Sequence, residues 1–113
     1  GWVDLILNSS ELDFAKVPYE QKSIDSPAEL MNLFEASLVN GTSQLSKGKD
    51  AQLTDTWTMR NGEQVYACSP KSEVLRGTFC QVVHHRAQLG VYLRLLNVPL
   101  PGSYGPSADD MSF

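Results

Sequence analysis

Apolar residues recur at helical spacing in two long stretches of this chain and in one short one. In the first long stretch they are Leu30, Met31, Phe34, Leu38 and Leu45. Ser26-Pro27-Ala28-Glu29 stands before them, with serine to cap, proline for the first turn and glutamate to complete a capping box. The pattern predicts a helix over 27–45, ending near Lys47-Gly48. In the second stretch Val74, Leu75, Phe79, Val82, Val83, Leu89, Tyr92, Leu93 and Leu96 predict a helix over 71–96. Ser69-Pro70 opens it by the same device, and Asn97 and Pro99 stop it. At 1.5 Å per residue it would span roughly 39 Å. Residues 1–8, with Trp2, Val3, Leu5, Ile6 and Leu7, read as a short amphipathic helix. So short a helix is unstable alone, and it reads as the end of a longer one.

The intervening segments lack this period. Residues 9–25 are polar and mixed, a connecting loop anchored to the core by Phe14, Val17 and Tyr19. Within 51–68, two β-prone runs flank Asn61-Gly62, which predicts a hairpin or an ordered loop laid over a helix pair. The tail from Pro99 to Asp110 is too rich in proline and glycine to be helical throughout; it is expected to run back along the surface, with Asp109 and Asp110 solvated.

Composition narrows the classes. At 113 residues the chain is one small domain, and 42% hydrophobic with 19% charged residues is a globular balance. A net charge of −4 with no basic block argues against a nucleic-acid partner. No apolar run is long enough to span a membrane, and the N-terminal segment, interrupted by Asp4, is no signal peptide. The cytoplasm is the expected compartment. Cys68 and Cys80 are isolated, without a zinc or redox spacing, and read as reduced thiols. Asn40-Gly41-Thr42 matches a glycosylation acceptor, a match read as accidental without a secretion signal.

The chemistry concentrates near the end of the last helix. Both histidines, His84 and His85, lie in the run from Gln81 to Leu89, followed by Arg86 and Gln88. Positions 81, 85, 88 and 92 fall on one helical stripe that ends in Tyr92. A histidine there can hold a metal, move a proton or simply pack. The plain reading has His84 facing solvent or packed, Tyr92 in the core, and Arg86 and Gln88 on backbone or carboxylate groups of the loop and tail.

The run His84-His85-Arg86-Ala87-Gln88-Leu89-Gly90-Val91-Tyr92-Leu93-Arg94, with Val98-Pro99, Pro101 and Tyr104-Gly105-Pro106-Ser107-Ala108-Asp109, resembles the C-terminal part of the DinB-like (damage-inducible) helical family. Gly1-Trp2-Val3, Glu11-Leu12-Asp13-Phe14 and Trp57-Thr58-Met59-Arg60-Asn61-Gly62 extend the likeness over nearly the whole chain. The resemblance implies an all-α fold, a four-helix bundle with a long crossover, of which residues 1–113 would be a single partial domain. It further implies a divalent metal (zinc, nickel or iron) held by three histidines, two of them from the last helix. That pair maps onto Gln81 and His85, with glutamine in place of histidine; the third histidine would lie shortly before Gly1. Some members of the family are thiol S-transferases that use bacillithiol or mycothiol.

Two readings of function result. One is a metal-dependent, thiol-transferase-like enzyme with His85 and Gln81 as ligands and a small-molecule thiol as partner. The other is a non-catalytic helical module, for dimerisation or binding, or a truncated fragment, without an intact metal site. Either way, the apolar faces around Leu30, Phe34, Leu38, Val82, Leu89 and Leu93 exceed what a monomer usually exposes, so a homodimer is expected.

Overall fold

The computed structural model describes residues 1–17 and 23–111. Its elements are α1 (Trp2–Asn8), β1 (Glu11–Asp13), α2 (Pro27–Lys47), a 3-10 turn (Asp50–Thr54), β2 (Thr56–Asn61), β3 (Gln64–Pro70) and α3 (Lys71–Leu95). The three strands form one mixed sheet in the order β1-β2-β3, with β1 parallel to β2 and β2 antiparallel to β3. The all-α expectation is therefore wrong: this is a mixed α/β fold, not a four-helix bundle. The chain forms two compact units, Gly1–Thr78 and Phe79–Phe113.

The hairpin follows from its turn. Gly62 takes φ 59°, a left-handed conformation that costs a residue with a Cβ more than it costs glycine. Pairing runs Asn61↔Gln64, then Arg60↔Val65, and shifts at Met59↔Ala67, leaving Tyr66 as the extra residue of a bulge. Tyr66 there meets Phe14, with ring centroids 6.4 Å apart. Phe14 thus anchors its loop as expected, whereas Val17 is exposed and Tyr19 lies outside the described residues.

β1 is the strand the sequence pattern did not reveal. Its three residues pair with Thr58, Met59 and Arg60. Charge holds it in place. Asp13 is buried and accepts from the backbone N–H of Gly62 (2.9 Å) and of Ala15 (3.0 Å), while Arg60 reaches Glu11 at 2.9 Å. Lys16 also donates to Glu11 at 2.9 Å. The Gly62 and Ala15 amides, with Arg60 and Lys16 nearby, hold the Asp13 carboxyl below its ordinary range against the opposing effect of burial. Lys16 and Arg60 do the same for Glu11.

The hydrophobic core is Ile6, Leu7, Trp57 and Leu75, with Val3, Leu5, Leu12, Leu53, Met59 and Val74 packed on it. Alone, α1 would be too short to persist; here its C-terminal end is tied down twice. Ser9 Oγ donates to Leu5 O and accepts from the Trp57 indole N–H at 3.2 Å. The buried Lys71 amine donates to Leu7 O at 3.1 Å, a cation at the negative end of the helix. Asn8 and Gln44, with Asp4 and Asn40, hydrogen-bond α1 to the C-terminal half of α2.

α2 begins as its sequence implies: Ser26 Oγ accepts from Glu29 N, and the Glu29 carboxylate reaches back to Asp25 N. α3 begins differently, because Ser69 and Pro70 belong to β3 and the helix starts at Lys71. It ends at Asn97, which takes φ 57°, with Val98 N on Leu93 O and Asn97 N on Arg94 O. These two bonds are the Schellman pattern that satisfies the last carbonyls of a helix.

Candidate functional site

Every residue from Gln81 to Leu89 is exposed. His85 Nδ1 lies 3.0 Å from Gln88 Oε1 one turn on, and the His84 ring stands edge-on to His85 with centroids 5.3 Å apart. Gln81 precedes His85 by four residues and shares its face of α3. Gln88 therefore partners His85 within the helix rather than the loop or tail. Tyr92 is 65% exposed, so its place is not the core.

What surrounds His85 is apolar and regular. Val82, Leu89 and Leu96 recur every seven residues, with His85 and Tyr92 three after the first two. α2 carries the same period in Met31, Leu38 and Leu45, with Phe34 and Gly41 between. This is the a and d spacing of helices that pack along a common seam. Phe34 is 57%, Leu38 55%, Val82 62% and Leu89 57% exposed. The expected apolar faces thus stand in water, apart from Leu93, which is half-buried. Their seven-residue register was visible in the sequence and is the signal that periodicity of 3.6 alone obscures.

The two helices differ in charge. α2 bears Glu29 and Glu35 against Lys47, a net of −1 (one cation minus two anions). α3 bears Lys71, Arg76, Arg86 and Arg94 against Glu73, a net of +3 (four cations minus one anion).

The tail is a folded structure rather than a solvated strand. Asp109 forms a two-point ion pair with Arg94 and accepts from Leu100 N at 2.9 Å; Arg94 and that amide hold its carboxyl below the usual range. Asp110 accepts from Gly102 N, and Ser107 Oγ accepts from Asp109 N and Asp110 N while donating to Leu100 O. The loop so fixed lies beside α3. It leaves a cleft of about 390 Å³ whose walls include Val83, Ala87, Leu93, Leu100, Pro101 and Tyr104. The Arg86 guanidinium, also on this wall, sits 5.8 Å from the centre of the Tyr104 ring. Arg86 meets the tail, as expected, through an aromatic face instead of a carboxylate.

No protein-family model, curated protein or solved structure matches the chain. The DinB-like resemblance is thereby corrected: the architecture it implies is replaced by a three-stranded sheet among three helices. The metal-dependent transferase reading falls with it, since among the described residues no three His, Cys, Asp or Glu side chains gather to hold a metal, and the alternative of a purely helical module is corrected by the sheet. Cys68 and Cys80 are free and exposed. No helix among the described residues is long and apolar enough to cross a membrane.

Proposed function

We propose that this chain is a self-association unit, in which the apolar row of α2 in one copy packs against the apolar row of α3 in a second. The observation that carries this reading is the seven-residue spacing of exposed apolar residues on both long helices. Half-exposed Met, Phe, Leu and Val side chains in continuous rows exceed the patches that monomers keep in water. Opposite net charge on the two helices favours α2 against α3 over either helix against itself. Such a contact, repeated by a two-fold axis, closes after two copies. Its place of work is the cytoplasm, where the exposed Cys68 and Cys80 thiols stay reduced.

Light scattering of the intact chain at tens of micromolar tests the reading. The expected result is a dimer that becomes monomeric in both Phe34→Glu and Leu89→Glu. A stable monomer of the unaltered chain would contradict it.

A further inference from the structure

We infer that the cleft between α3 and the tail is a binding site for a small amphiphilic carboxylate, a medium-length alkyl chain ending in an acid. Three independent features of this one region support it. The first is shape. The cleft holds about 390 Å³, near the lower end of the range for small-molecule pockets, and aliphatic side chains together with Tyr104 make up most of its wall. An alkyl chain of about eight carbons suits such a wall better than a peptide, which would bring backbone groups needing hydrogen bonds.

The second feature is charge. Arg86 lies on the cleft wall and, among the described residues, its one contact of note is the Tyr104 ring. Arg76 and Arg94 on the same helix are each paired with a carboxylate. Arg86 has no such pair among the described residues, so its planar fork of donors is available to a ligand carboxylate. The Tyr104 ring face steadies the guanidinium without neutralising it.

The third feature is Gly90, in the middle of the helical wall. Glycine inside a helix costs about 1 kcal/mol relative to alanine. A Cβ placed at Gly90 would meet no heavy atom within 4 Å, so packing against the protein does not require glycine here. A side chain at this position would instead occupy cleft space. Asp109, Asp110 and Ser107 keep the opposite wall in place through the hydrogen bonds that fold the tail.

The cleft is formed within the second unit alone, but its wall includes Leu89 of the proposed α3 seam, so the titration is made on the monomeric Phe34→Glu variant as well as on the intact chain. Calorimetric titration of the intact chain with octanoate, at low ionic strength and below its aggregation threshold, tests it. Amide NMR would locate the site. The expected result is saturable binding with shifts at Gly90, Leu93 and Ser103. Affinity should fall about tenfold in Arg86→Gln, the loss of one charge-assisted contact. Octan-1-ol should bind about tenfold more weakly than octanoate. Gly90→Leu should abolish binding while its circular dichroism shows a helix at least as stable as the original. Absence of saturable binding at millimolar octanoate would overturn the inference. So would binding that octan-1-ol matches and Arg86→Gln leaves unchanged, or binding that survives Gly90→Leu in a folded protein.

Discussion

The two compact units use apolar residues in opposite ways. In Gly1–Thr78 they converge: Ile6, Leu7, Trp57 and Leu75 are buried together, and the buried Asp13 and Lys71 each have hydrogen-bond partners. In the second unit, no described residue from Phe79 onward is buried. Its apolar residues lie in rows along α3 or line the cleft beside the tail. Similar composition thus yields a buried core in the first unit and exposed apolar rows in the second. The difference separates residues that hold the fold from residues proposed to meet a second copy, and substitutions can break it.

The largest effect should come from the core. Trp57 is 2% exposed and its indole N–H is bonded to Ser9, so Trp57→Ala is expected to cost about 3–5 kcal/mol. Urea unfolding followed by near-ultraviolet circular dichroism would measure it. The same substitution type at an exposed seam position should leave the monomer's stability within about 0.5 kcal/mol.

Acid should act on the same unit. Glu11 and Asp13 have folded-state values held below their ordinary 4.5 and 3.8. Their stabilisation is therefore fully present above those ordinary values and is lost as pH falls through the lowered ones. Asp13→Asn should flatten the stability profile below about pH 4.5 and weaken the protein at neutral pH. An unchanged acid limb in the variant would remove Asp13 from the account. A smaller loss, about 1 kcal/mol, is expected for Gly62→Ala, because its φ of 59° is disfavoured once a Cβ is present. Chemical denaturation at neutral pH would read it.

The fold was legible in the sequence where a local device acts alone. Ser26-Pro27 and the 3.6-residue period set the start of α2, Asn61-Gly62 set the hairpin, and Asn97 set the end of α3. β1 was not legible, because three residues cannot show alternation and its partner β2 lies more than forty positions away. The all-α class comes from the family resemblance, beside which β2 and β3 are expected only as a hairpin or ordered loop; β1 is what turns that hairpin into a sheet. Ser69-Pro70 misled for a related reason, since a helix-opening signal was spent as the last two residues of a strand. In the tail, Asp109 and Asp110 looked like solvated acids; only the folded chain brings Arg94 and the backbone amides of Leu100 and Gly102 to them. At the site, the histidine stripe stands out in the sequence by its rare side chains. The seven-residue rows around it consist of common ones, whose meaning depends on exposure that the sequence does not state.

The central claim is that α2 of one copy covers α3 of another. Mixing two monomeric variants tests it most directly. Phe34→Glu damages only α2 and Leu89→Lys only α3, so a dimer of either variant contains two damaged contacts. The mixed dimer keeps one intact contact between the undamaged α3 of the first variant and the undamaged α2 of the second. Sedimentation velocity of the equimolar mixture should therefore show dimers, although each variant alone sediments as a monomer. A mixture that sediments as a monomer at concentrations where the unaltered chain is dimeric would contradict pairing of α2 with α3.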